Sequence, residues 1–249
     1  MKNEKSFRNP FPWIWKVFRY EMKSSARILL PVYITTIAVA LSTIMLVTTD
    51  GLSDFISTTD PLDEVTFFTA ILFFGMCLVA PVITVIILAK RFKTGLLGDE
   101  AYMNLMFPVT VGEHLCGRIL SVIIWFCVCL VTELLSFLIF DVSKINWDSL
   151  VKFWNGFPFL MIMTIFMALV LFIYFVNSVA HLAKKHRTIV KVVTVTVMLS
   201  FVFRIIVAIL NLDWKIIYHE HVLSLFFAAL SAIYAVVTYF ILKYRLNLE

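Results

Sequence analysis

Charge is scarce in this chain of 249 residues: Asp, Glu, Lys and Arg make up 15%, against 61% hydrophobic residues, with Phe alone at 24 positions. A soluble domain of this size could not cover so much apolar surface with so few charges. That excludes an ordinary globular enzyme. No G-x-x-x-x-G-K-[ST] stretch occurs, so the P-loop that cradles nucleotide phosphates is missing. No histidine lies deep in an apolar run, which removes the convergent nucleophile or metal sets of an intramembrane enzyme. Gly75 permits close helix approach, but no G-x-x-x-G pair makes a strong dimer motif. Of four cysteines, Cys77, Cys127 and Cys129 lie inside apolar runs and Cys116 at a boundary, so there is no extracellular disulfide framework. Cys127 and Cys129, two apart on a helix, are expected on different faces and to serve as small packing residues rather than metal ligands. His219 and His221 flank Glu220 without a third ligand and read as a solvated loop. The first apolar run follows a long mixed segment and leads into further runs, so no cleaved signal peptide is expected.

What the chain does have is six long apolar stretches, at about 28–49, 65–89, 119–140, 153–180, 192–210 and 222–242. A spanning helix needs ~20 apolar residues at about 1.5 Å each. Lipid offers backbone amides no partners, so such stretches must be helices. The expected fold is all-α and integral to the membrane, with a segment 1–27 preceding a six-helix domain over 28–249.

Orientation follows from Lys and Arg. The 1–27 segment carries seven, and the connections after the second and fourth spans and the tail bring that side to 17, against Lys144, Lys152 and Lys215 opposite. The 50–64 loop has five acids and no base. Both termini are therefore expected in the cytoplasm, and the net charge of +5 is a topology signal rather than a nucleic-acid footprint.

Before the first span, apolar residues fall at 11, 14, 15, 18 and 22, a helical series. Lys16, Arg19, Lys23 and Arg27 form a basic stripe, and Pro12 suits a first helical turn. The pattern predicts an amphipathic elbow in the headgroup plane, with Trp13, Trp15 and Phe18 at the lipid boundary.

The connection 90–118 reads KRFKTGLLGDEAYMNLMFPVTVGEHLCGR. Gly95 and Gly98 loosen the exit from span two; Asp99 can cap a short helix over 100–107, which Pro108 ends. Thr110 and Glu113 have capping-box spacing, which favours Glu113 as a cap over a catalytic acid and starts span three at Thr110. Asp99 and Glu100 are adjacent and cannot converge on one atom as an acid/base pair. What remains is a short helix exposing Tyr102, Leu105 and Met106, suited to pressing against another protein.

The run RFKTGLLGDEAYMNLMFPVTVGEHLCGRILSVIIW resembles the segment that marks ABC-2 type transporter permeases of Gram-positive bacteria, with Asp99, Glu100, Tyr102, Pro108, Val109 and Thr110 at the matching positions. KVFRYEMKSSARILLPVYI at 16–34 resembles the entry to their first span, through Tyr20, Glu21, Lys23, Arg27 and the Leu30-Pro31 start. Ala101 stands where glycine is usual, and Gly117-Arg118 where a small residue plus Lys is usual. The blocks cover about fifty residues, and the six-span plan extends the likeness along the chain.

The resemblance implies a half-transporter. Two six-span subunits, identical or homologous, form the pathway in the bacterial plasma membrane. Each rests on a separate ATPase subunit, which holds ATP and Mg; this chain would bind no cofactor. By the same likeness, Asp99, Glu100, Tyr102, Leu105 and Met106 form a coupling helix docked on the ATPase, with Trp15, Phe18, Arg19 and Lys23 of the elbow as the secondary contact. Exported substrates in such a family include amphipathic and antimicrobial peptides, drugs and lipids, and no residue here chooses among them. The 211–221 connection is too short for an extracellular domain, and the likeness alone suggests a small re-entrant plug there.

Two ionisable residues fall inside spans. Glu133 lies about fifteen residues into span three and Arg204 about fourteen into span five, so at ~1.5 Å per residue they reach similar depth. An unpaired charge near the bilayer centre costs at least ~2.5–3.5 kcal/mol. Three readings follow: a Glu133–Arg204 pair, a cavity lining or substrate contact, or snorkelling to the outer interface. The competing function is an ion-coupled carrier or channel using these two residues, although no inverted repeat or pair of broken helices supports it.

Overall fold

The computed structural model describes residues 11–53, 61–98, 109–140, 159–183, 186–210 and 219–244. These form α1 (Phe11–Ser53), α2 (Pro61–Phe92) with a π-helical turn at Lys93–Leu97, α3 (Val111–Phe140), α4 (Phe159–Leu182), α5 (Arg187–Leu210) and α6 (His219–Tyr244). The described residues contain no strand, and six helices are long and apolar enough to cross a membrane. The fold is all-α, and the chain is a multi-pass membrane protein.

α1, α2 and α6 run past their apolar stretches at both ends, because the polar residues flanking those runs are themselves helix-permissive. α1 shows this most. Its 43 residues rise about 65 Å, roughly twice a hydrocarbon core. The elbow read as separate from the first span is, from Phe11 onward, the start of α1, with no interruption of helical bonding at residue 27. The physical reason is local: between Pro12 and Pro31 there is neither Gly nor Pro to end a helix. Pro31 is accommodated inside α1 and Pro81 inside α2. His219 and His221, read as loop residues, open α6 instead. The short helix expected over 100–107 lies outside the described residues.

The chain divides into two units, one of Met1–Met22, Leu88–Val122 and Pro158–Glu249, the other of Lys23–Ile87 and Ile123–Phe157. In the first unit α4 packs on α6 and, less extensively, on α5. Tyr234 of α6 anchors this contact, its ring 5.5 Å from both Phe172 and Phe175.

In the second unit α1, α2 and α3 meet through Tyr33 against Trp125 at 6.0 Å and Phe73 edge-on to Phe137 at 5.7 Å. Phe68, Ile71, Leu72, Leu78, Val82 and Ile86 of α2 remain exposed. Recurring at helical spacing, they suit a face bathed in lipid.

Candidate functional site

α1 turns Ile14, Val17, Phe18, Glu21 and Ser25 toward the protein, while Trp15, Lys16, Arg19, Tyr20 and Lys23 stay exposed. The inward stripe is therefore not purely apolar. Its centre in the first unit is Glu21, 6% exposed and the one acid between residues 11 and 27.

The partner is Arg118 of α3. Its Nη2 lies 2.8 Å from Glu21 Oε1, with the two side chains only 4% and 7% exposed. The next residue back, Gly117, makes the approach possible. A Cβ there would stand 2.9 Å from Val17 Cγ1 and 3.1 Å from the Ile14 carbonyl oxygen, so α1 lies directly on the α3 backbone.

Arg118 reaches a third element. Its Nη1 donates to the carbonyls of Arg91 at 3.3 Å and Phe92 at 3.2 Å. Those carbonyls lie where α2 passes into the π-turn, and Arg91 O also accepts from the Thr94 hydroxyl at 3.5 Å. The guanidinium fork reaches both carbonyls and Glu21 at once, as a lysine ammonium could not in the same geometry. Below it, the guanidinium carbon is 5.8 Å from the Phe92 ring, which stacks on Tyr174 of α4 at 4.0 Å and 10°. The Tyr174 hydroxyl donates to Leu88 O at 3.4 Å. One charge pair thus gathers the N-terminal part of α1, the end of α2, the start of α3 and α4.

The entry to α3 is fixed as its spacing predicted. Glu113 N–H donates to Thr110 Oγ1 at 3.3 Å and Thr110 N–H to Glu113 Oε2 at 2.7 Å, a complete capping box. α3 opens at Val111, with Thr110 as its N-cap.

Of the residues expected to dock on an ATPase, Asp99, Glu100, Tyr102, Leu105 and Met106 lie outside the described residues. The helical ends that bear this segment are described, and Arg118 joins them. Among the elbow residues, Phe18 is buried, whereas Trp15, Arg19 and Lys23 are exposed.

Sequence reasoning placed Glu21 and Arg118 in two separate blocks and counted Arg118 as a topology charge. The missed signal was phase. Glu21 follows Phe18 by three positions on the same helical face, and a lone acid on an inward stripe needs a buried cation.

In the second unit, Glu133 is half-buried on α3 beside Cys77 of α2, and its Oε1 is enclosed without a partner. Nearby, the Tyr33 and Thr84 hydroxyls are hydrogen-bonded at 2.8 Å, with Cys129 beside them. Cys129 is buried and Cys127 exposed, in keeping with their separate faces. Arg204 occupies an exposed position on α5 in the first unit.

Comparison with known protein families, with characterised proteins and with solved structures returns no match.

Proposed function

We propose that this chain is the permease subunit of an ATP-driven exporter of the ABC-2 type. It lies in a bacterial plasma membrane with both termini in the cytoplasm and works as a homodimer or beside a homologous permease. Two copies of a separate ATPase subunit carry the ATP and Mg. The cargo class is amphipathic or antimicrobial peptides or drugs.

The observation that carries this reading is the way Arg118 closes the base of the connection between α2 and α3. Its bonds to Arg91 O, Phe92 O and Glu21 hold both ends of that connection, and the start of α1, on one rigid point. A force applied to residues 99–107 then moves several helices together rather than stretching a loop. Rigid-body tilting of packed helices is how a nucleotide-driven closure is passed on. The six apolar helices and the resemblance of residues 16–34 and 91–125 add to it. So does α5, whose apolar window buries nothing within the chain while carrying Arg204 exposed. A cation there calls for cover, and a second permease would supply it.

The test is a reconstituted complex with its ATPase. Replacing Glu100 and Tyr102 by alanine should abolish substrate-stimulated hydrolysis while the permease stays folded and bound to lipid. Unchanged stimulation would remove the coupling assignment.

One observation favours the second reading, an ion-coupled carrier. Glu133 presents an enclosed, unpartnered carboxylate oxygen beside Cys77 within the second unit. Solute movement through vesicles holding this chain alone, with no ATPase present, would select that reading over the first.

A further inference from the structure

A second group of cations lies in the first unit, none of them a member of the Glu21–Arg118 pair. Between the π-turn, α4 and α5 is a cavity of about 210 Å³, several times the ~30 Å³ share of one liquid water. Its polar lining is Lys93, Asn177, His181, Arg187, Thr188 and Lys191, with no carboxylate. Lys191 lies within the field of Lys93, and His181 within that of Arg187. Among the described residues, none of these three permanent cations has a carboxylate partner.

The abundance of bases on this side of the membrane accounts for their sign but not for their convergence. Topology asks only for Lys and Arg in the loops, and scattered, solvated positions would satisfy it. Here they come from three elements and border one open-sided cavity, with Lys93 and Arg187 exposed at its rim and Lys191 half-buried. Like charges facing one cavity repel, and an anion between them reverses that penalty.

The backbone adds to the attraction. α5 begins at Arg187, beside the cavity, so the positive end of its dipole and its first amides lie there. The residue before it, His186, accepts from Val190 N through its carbonyl at 3.1 Å but has no side-chain oxygen to cap those amides.

We propose that this cavity is a phosphate-binding site, filled by the headgroup of an anionic phospholipid or by free phosphate. A phosphate offers several acceptor oxygens in different directions, matching ammonium, guanidinium, amide and hydroxyl donors from three elements. Basic pockets between spanning helices at the positive side of a membrane hold such headgroups. Bound there, the phosphate ties the π-turn, and hence the start of the 98–110 connection, to α4 and α5. The site does not depend on the exporter reading.

The experiment uses the full-length protein in a neutral detergent, with binding followed by native mass spectrometry and by the thermal unfolding midpoint. Phosphatidylglycerol, phosphatidylcholine and inorganic phosphate are each titrated at constant ionic strength. Phosphatidylglycerol should bind and raise the midpoint where phosphatidylcholine does not, and K93Q/K191Q should weaken it at least tenfold. The control K243Q, which removes an exposed charge elsewhere, should change it less than twofold. If inorganic phosphate reproduces the stabilisation, the source is the free ion; if only the lipid does, it is the headgroup. Should K93Q/K191Q fail to fold, T188D, which sets a carboxylate in the lining, should abolish binding in its place. The proposal is overturned if neither phosphate source is preferred over its control, or if the control variant loses as much affinity as the cavity variants.

Discussion

Removing the charge of Glu21 or of Arg118 singly should be far more damaging than removing both. At 2.8 Å and an effective dielectric near 20, the attraction is ~6 kcal/mol gross, from which the desolvation of two almost fully enclosed groups must be subtracted. The net value of the pair is therefore small, but the cost of breaking it is not. Glu21→Met leaves a buried guanidinium without a counter-ion, and Arg118→Met leaves a buried carboxylate; each should cost about 3–5 kcal/mol. If the sites acted independently, the double variant would lose about 6–10 kcal/mol, the sum of the two.

The paired geometry predicts otherwise. With both charges gone, the remaining debt is the bond to Phe92 O, about 1–3 kcal/mol, because Arg91 O keeps the Thr94 hydroxyl at 3.5 Å. E21M/R118M should thus be more stable than either single variant. Arg118→Lys should fall between wild type and R118M, because one ammonium keeps the charge but loses the planar fork that serves Glu21 and two carbonyls at once. Equilibrium unfolding in mixed micelles, read by tryptophan fluorescence, measures all four. A double variant whose loss equals the sum of the singles within about 0.5 kcal/mol would refute the reasoning, since only contact produces the non-additivity.

Two further substitutions test local packing. Gly117→Val should destabilise by about 1–3 kcal/mol, because the added carbon meets backbone at Ile14 as well as a side chain, whereas Gly75→Ala, with open space around it, should be neutral or mildly stabilising in the same assay. At the start of α3, Thr110→Ala should cost about 0.5–2 kcal/mol of stability. Glu113→Gln should cost little, because an amide oxygen still accepts from Thr110 N–H; loss of all transport in a folded E113Q protein would instead make Glu113 a functional acid.

The number and apolar character of the helices were legible because lipid admits one solution for a long uncharged run, and composition alone reveals such runs. The capping box was legible for a similar reason: Thr110 and Glu113 interact within one turn, so spacing determines contact. The continuity of α1 was not. The change from a basic stripe to an apolar run suggests two elements, while the lack of Gly or Pro between Pro12 and Pro31, which lets one helix run through, leaves no positive mark in the pattern. The Glu21–Arg118 contact was hidden because nearly a hundred residues separate the partners, and phase on one helix names a face without naming what meets it. The Lys93 and Lys191 grouping was hidden in the same way, inside a charge tally that recorded side of membrane and nothing of position.

Most hydroxyls within the spans carry no such information. Thr36, Ser136, Ser178, Thr196 and Ser200 each donate to the carbonyl four residues back in their own helix, which satisfies the group and commits it to no neighbour. A polar bond between different helices is another matter. In an apolar solvent it cannot be replaced by water, so it specifies which helices meet and at what register. In the second unit the Tyr33–Thr84 bond and the Thr43 bond to Thr69 O, at 3.3 Å, are of this kind. In the first, Arg118 makes such bonds to two elements at once, at the root of the connection on which the proposed coupling depends. Stability alone could be had there more cheaply from apolar packing, as the double variant is expected to show. What leucines could not supply is one fixed geometry, and on the proposed coupling role that is where a pull on residues 99–107 would pass to α1, α2 and α3. If E21M/R118M keeps its fold and its ATPase yet loses substrate-stimulated hydrolysis, the ion pair is there for transmission; if stimulation survives, it is only a fastening.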